Sequence, residues 1–153
     1  MFNVVLVEPE IPPNTGNIGR LCLATRSTLY LVKPLGFSLD DRELKRAGLD
    51  YWNEVDVQIW DSFQELQRAQ TDATRYFFLT TKSGRAYYEV DFRDGDFLVF
   101  GRETKGLPES LLTRNRETCL TIPMRGARSL NLATAVAIVL FEAVRQQRSG
   151  LAG

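Results

Sequence analysis

The chain contains no histidine among its 153 residues. That absence removes Ser-His-Asp and Cys-His nucleophilic catalysis, the imidazole general base and most transition-metal sites. Cysteine is almost as scarce. Cys22 and Cys119 stand far apart without ligand-like spacing and read as buried, reduced thiols. No apolar run approaches the ~20 residues that span a bilayer. The opening MFNVVLVEPE lacks the basic segment of a secretory leader, so a cytoplasmic location is expected. A formal net charge of +0 argues against a protein that grips nucleic acid along an extended track, but it permits a local basic groove. Chemistry here must rest on positioning, electrostatics, carboxylates or a reactive cosubstrate, with no metal.

Against these absences, 44% hydrophobic and 25% charged residues in a chain of this length predict one globular domain over 1–153, with a frayed tail at 149–153. Apolar runs at Phe2–Val7, Leu29–Val32, Val55–Trp60, Arg75–Thr80, Phe97–Phe100 and Cys119–Ile122 read as six strands. Helical signals lie between them. Pro9, Pro12 and Pro13 hold the chain extended until Asn14 and Thr15 cap a first helix, and Ser38 caps a second that stops at Gly48. Ser62 and Glu65 form a capping box for a third. Alternating strand and helix predict an α/β fold, a mainly parallel six-stranded sheet with helices on both faces.

The chain is organised around residues 122–148. An apolar strand end passes through a turn into a long helix, capped by Asn131, in which only Thr134 and Glu142 are polar between Leu132 and Val144. A helix apolar on nearly every face must be covered on more than one side. In a chain this short, a second copy is the expected second cover, so a homodimer through Leu132–Val144 is predicted. A ligand turn at one end of this helix and an interface along it tie the site to dimerisation.

Four constellations could carry chemistry. Asn14-Thr-Gly-Asn-Ile-Gly-Arg20 opens a helix after the first strand, Phe100-Gly-Arg-Glu-Thr-Lys-Gly-Leu-Pro108 follows the fifth, Leu79-Thr-Thr-Lys-Ser-Gly84 follows the fourth, and Ile122–Asn131 follows the sixth. Each alone is equally well a plain turn or cap. Strand carboxyl ends are where ligands sit in open α/β sheets, so together they predict a shared pocket. Neither G-x-G-x-x-G nor G-K-[ST] is matched. These residues alone leave open a nucleotide- or phosphate-binding enzyme, or an RNA-binding dimer without turnover.

The ordered set N-x-G-N-x-x-R, F-G-x-E-x-x-G-L-P and I-P-M followed by R-S-L-N-L, with EPEIPPNTGNIGRL and RAGLDYW around it, resembles the SPOUT class of RNA ribose 2′-O-methyltransferases. Within it the chain is similar to the small TrmL-type tRNA enzymes. The resemblance covers nearly the whole chain and implies a C-terminal trefoil knot, a homodimer, and methyl transfer from S-adenosylmethionine to a tRNA ribose 2′-hydroxyl. The implied target is the wobble nucleotide, a cytidine or modified uridine, and the implied product is S-adenosylhomocysteine.

Carried over by motif, the cofactor pocket is expected to use Leu79, Gly101, Ile122, Met124, Ser129 and Leu130. Asn14, Glu103 and Asn131 are expected to brace its loops. Arg20 matches the arginine that the class places at the acceptor hydroxyl. An arginine stays protonated in a protein, so the physically easier role is to stabilise developing alkoxide charge. Phe141 stands where some relatives carry a tyrosine.

Overall fold

The computed structural model describes residues 1–126 and 129–147, apart from the side chain of Asp50. The turn residues Ala127 and Arg128 and the tail expected to fray lie outside the described residues. Six strands form one sheet in the order β3-β2-β1-β5-β4-β6: β1 Asn3–Val7, β2 Thr28–Val32, β3 Val57–Trp60, β4 Tyr76–Leu79, β5 Phe97–Phe100 and β6 Cys119–Leu120. Every pairing is parallel, so the sheet is wholly rather than mainly parallel. Five α-helices accompany it among the described residues: α1 Pro12–Ala24, α2 Arg42–Ala47, α3 Phe63–Arg68, α4 Glu109–Arg114 and α5 Leu132–Gln146.

Beyond the opening Asn3 of β1 and Thr28 of β2, the central strands are apolar because both faces are covered. Their two-residue period divides them between two cores. Val4, Leu6, Leu29, Leu31, Leu98 and Phe100 face the layer holding Ile18 and Cys22 of α1 and Val136, Val139 and Leu140 of α5. Val5, Val7, Tyr30, Val32 and Val99 face the layer holding Phe63 and Leu66 of α3 and Leu111 and Leu112 of α4. β3, at the sheet's edge, is only half covered.

Several helix starts differ from the sequence expectation. α1 begins at Pro12, with Ile11 as its cap residue and no side-chain cap, so Asn14 and Thr15 lie inside the helix. Pro12 and Pro13 therefore start the helix instead of delaying it: proline lacks the N–H that a first turn leaves unpaired, and its φ is already helical. α2 is capped by Asp41, whose carboxylate accepts from the amides of Glu43 and Leu44, while Ser38 only turns the chain before it. Ser62 does cap α3, accepting from the Glu65 amide at 3.1 Å. Gly48 ends α2 with right-handed φ, and it is Leu49 that turns left-handed at φ 53°. β6 is shorter than expected. Beyond it Thr121 bridges to Ala86, so the chain runs alongside the segment that follows β4.

Candidate active site

Parallel strands end together, so the segments after β4, β5 and β6 meet at one end of the sheet. There they enclose a cavity of about 250 Å³. All six residues assigned to the cofactor line it: Leu79 after β4, Gly101 after β5, Ile122 and Met124 after β6, and Ser129 and Leu130 before α5. Phe100, Leu107, Leu112 and Leu132 give it apolar walls, and residues 102–106 form a flap over one side. Of the loop after β4, Leu79 to Lys82 reach this cavity; Ser83 and Gly84 instead line a neighbouring hollow with Arg116 and Cys119.

Gly101 is required by the chain itself. A Cβ there would lie 2.1 Å from the Gly106 carbonyl carbon and 2.2 Å from the Leu107 nitrogen. The flap doubles back against it, with Arg102 and Gly106 exchanging backbone hydrogen bonds. Space for a ligand is thus a secondary reason for this glycine.

A set of polar contacts joins the flap to the start of α1. Glu103 accepts from the backbone amides of Glu10 and Ile11, both at 2.8 Å, and from the Asn14 side-chain amide at 3.3 Å. A carboxylate at a helix N-terminus is favoured by both the free N–H groups and the helix dipole. Asn14 in turn accepts from Asn131, at 3.0 Å, and Asn131 accepts from the Thr134 amide in the first turn of α5. Asn14, Glu103 and Asn131 are consequently brought together and fully engaged with one another and with backbone.

Sequence reasoning missed the rest of this clasp. Glu10 accepts from the Thr104 hydroxyl at 2.8 Å and its amide at 3.1 Å, and this pair of bonds holds the Glu10 carboxyl below its ordinary range. Arg102 pairs with Glu8 at 3.1 Å, where Glu8 adopts a left-handed φ of 56°. Nothing in spacing connects residues some ninety positions apart, although the left-handed Glu8 marks a constrained loop.

Arg20 is placed differently from the other candidates. It is exposed on α1 and does not line the cavity. It lines a wider hollow of about 800 Å³ between α1 and α5, together with Asn17, Tyr51, Ala133 and Ala137. Among the described residues no cluster of Cys, Asp or Glu is arranged to hold a metal. No helix among them is long and apolar enough to cross a membrane.

Residues 1–141 match the SpoU rRNA Methylase family. The chain is 48% identical to the tRNA (cytidine(34)-2'-O)-methyltransferase of Burkholderia ambifaria over 151 residues, covering 95% of this chain and 96% of that protein. A solved structure concerned with 2-OH methylation of C/U34 on tRNA superposes with a TM-score of 0.93 at 46% identity, with 97% of each chain covered. The SpoU methyltransferase AviRb from Streptomyces viridochromogenes, in complex with the cofactor AdoMet, superposes with a TM-score of 0.84 at 26% identity, over 96% of this chain and 58% of that one. By sequence and by fold, the chain belongs to the SpoU methylase family.

Proposed function

We infer that this protein transfers a methyl group from S-adenosylmethionine to the ribose 2′-hydroxyl of nucleotide 34 of tRNA. The observation that carries the reading is the convergence of Leu79, Gly101, Ile122, Met124, Ser129 and Leu130 on one cavity, in a chain whose relatives of nearly equal length carry that activity. The cavity suits the cofactor chemically. Its walls offer apolar surface for an adenine ring, and its loops offer backbone polar groups. Its one lining carboxylate from the motifs, Glu103, is already committed to α1.

The cofactor supplies an electrophilic methyl with its own leaving group, so the protein's task is alignment. Holding two reactants in line can supply ~7–11 kcal/mol of the barrier. The clasp and the packed start of α5 fix the cavity wall. Arg20 is exposed and, among the described residues, carries no carboxylate partner. The guanidinium there orients the ribose or an adjoining phosphate and stabilises the negative charge on the 2′-oxygen, which bonds to the methyl carbon as the carbon–sulfur bond breaks and its proton passes to solvent water.

Arg20 and the cavity are separate within one chain, which supports a homodimer. Ala133 and Ala137 are partly exposed and Phe141 is 44% exposed, leaving an apolar strip along α5 beside α1. A second copy packed across this strip covers it and can deliver an arginine to a neighbouring cavity. A trefoil knot is the matching reading of the C-terminal segment. It pairs alongside 85–87 through Thr121, donates from Asn131 to Asn14, packs on α1, and returns to Val90 and Phe92 through Gln146 and Gln147. A tRNA substrate supports a cytoplasmic location.

The test is single-turnover methyl transfer to saturating tRNA by wild type, Arg20→Ala and Arg20→Lys, with S-adenosylmethionine affinity measured separately. Loss of one oxyanion donor costs on the order of a hundredfold in rate. Both variants should lose most activity while binding the cofactor normally. A near-normal rate for Arg20→Ala would remove Arg20 from the catalytic centre.

A further inference from the structure

Lys82 stands between two spaces: it lines the cofactor cavity and also the neighbouring hollow of about 380 Å³. That hollow lies between the loop after β4 and α4, with the short 3-10 helix Arg116–Thr118 beside it. Its lining is mostly polar: the hydroxyl residues Thr80, Ser83 and Thr113, the cations Lys82 and Arg116, and one carboxylate, Glu109. Neither α1 nor α5, the helices assigned to the contact between copies, contributes to it.

The loop that carries Lys82 is tied down along its length. The Lys82 amide donates to the Thr80 hydroxyl at 3.1 Å, and the Ser83 hydroxyl donates to the Cys119 carbonyl at 2.8 Å. Beyond them the Arg85 guanidinium donates to the Glu117 carbonyl, also at 2.8 Å. A loop already fixed in this way presents its cation at little ordering cost to a ligand. The Lys82 ammonium pairs with Glu109 at 2.9 Å, but the two side chains are 67% and 71% exposed. So exposed a pair contributes little to stability, and a more highly charged partner can take the lysine from it. Arg116 is exposed and makes no ion pair among the described residues. Two cations thus share one carboxylate, directly beside the cavity to which the acceptor ribose must come.

We propose that the hollow holds a backbone phosphate of the tRNA adjoining the acceptor nucleotide, between Lys82 and Arg116, with Glu109 occupying Lys82 until the RNA arrives. This rests on the tRNA reading above. The ammonium of a lysine serves a phosphate as a point charge, and the guanidinium of an arginine matches its oxygens in pairs. A phosphate contact fixes the register of a strand without reading its sequence. The hollow therefore selects which ribose along the strand reaches the cofactor and leaves the choice of tRNA to contacts elsewhere.

The experiment measures binding of the full-length protein to substrate tRNA over a salt series, with S-adenosylhomocysteine present so that no methyl is transferred. Both lysine and arginine are exposed, so their replacement leaves the fold intact. Lys82→Gln and Arg116→Gln should each weaken binding on the order of fivefold and flatten the slope of log affinity against log salt by about 0.7–0.9. Lys82→Arg should keep most of the affinity. Glu109→Gln should tighten binding, because no carboxylate then competes for Lys82. S-adenosylmethionine affinity should be unchanged in Arg116→Gln, since Arg116 lines the hollow and not the cavity. An unchanged salt slope in either Lys82→Gln or Arg116→Gln would overturn the proposal. Weaker tRNA binding by Glu109→Gln would overturn it too, making the ion pair a structural tie. So would a Lys82→Gln variant that lost S-adenosylmethionine affinity and kept tRNA affinity, which would assign the lysine to the cofactor's carboxylate. If wild type itself methylated no ribose at position 34, the functional reading would fail, a result visible without any of these variants.

Discussion

The side-chain amide of Asn131 donates to the Oδ1 atom of Asn14 across 3.0 Å, joining the first turn of α5 to the first turns of α1 over 117 positions of sequence. The other atom of the same amide, Oδ1, caps α5 by accepting from Thr134. One side chain thus both starts the C-terminal helix and holds it against the helix that bears Arg20.

Two substitutions separate these roles. Asn131→Ala removes cap and cross-link together and should cost about 1–2 kcal/mol in urea unfolding, from the loss of a helix cap and a hydrogen bond. Asn131→Asp keeps the cap but sets a carboxylate against Asn14 Oδ1. Asn14 can then donate to it only by turning its amide away from Glu103. Asn131→Asp should retain most stability yet bind S-adenosylmethionine more weakly, because the flap loses one of its ties. Wild-type cofactor affinity in Asn131→Asp would show the cross-link to be irrelevant to the cavity.

Gly101→Ala should be far more damaging than its single methyl implies. The clash is with flap backbone, which cannot rotate away as a side chain can. Overpacking of this kind costs roughly 1–3 kcal/mol, and the displaced flap should weaken cofactor binding at least tenfold. Gly84 is the control, since a Cβ there meets nothing within 4 Å. Gly84→Ala should change stability by less than about 0.5 kcal/mol. Calorimetry and denaturation on the pair would check this, and equal behaviour of the two would refute the packing argument.

Much of this arrangement is legible from sequence because it follows local rules. Apolar runs of four to six residues separated by helical periods leave few alternatives to a parallel sheet, and strand ends then gather Leu79, Gly101 and Ile122. What stays hidden depends on partners distant in sequence. The carboxylate satisfying the start of α1 comes from Glu103, so no local cap announces that the helix begins at Pro12. The reason for Gly101 is a doubling back of the next six residues. In α5 the sequence is apolar all round, which shows that it needs two covers without showing which residues take which. Val139, a natural choice for probing an interface from sequence alone, is wholly buried in the chain's own core.

That last point changes how the interface should be tested. Val139→Glu would place an unpaired carboxylate in the core and should unfold the protein by removing several kcal/mol. Ala137→Glu, on the partly exposed face, should leave a folded chain that sediments as a monomer and transfers methyl groups poorly. A folded, active dimer of Ala137→Glu would place the contact between copies elsewhere.

At the opposite end of the sheet, Asp96 is 2% exposed and pairs with Arg75 at 3.4 Å. Burial raises its carboxyl above the ordinary 3.8, against the lowering effects of the Arg93 amide and Arg75. The native state therefore holds this proton to higher pH than the unfolded chain does, so ionisation of Asp96 destabilises the fold. Its contribution is most favourable below pH 3.8 and declines as pH rises through the native value. Asp96→Asn retains an acceptor for the Arg93 amide and cannot ionise. Relative to Asp96→Asn, wild type should lose stability as pH rises from below 4 through the weakly acidic range. Urea midpoints that move in the opposite sense would mean that the pair with Arg75 outweighs burial.

The central claim is that the ribose of nucleotide 34 receives the methyl group. The most direct test is mass mapping of tRNA after incubation with the protein and isotopically labelled S-adenosylmethionine, with a second tRNA identical except for 2′-deoxyribose at position 34. The account predicts one labelled methyl on the ribose of nucleotide 34 in the first tRNA and none in the second. A label on a base, on another ribose, or undiminished in the deoxy tRNA would contradict it.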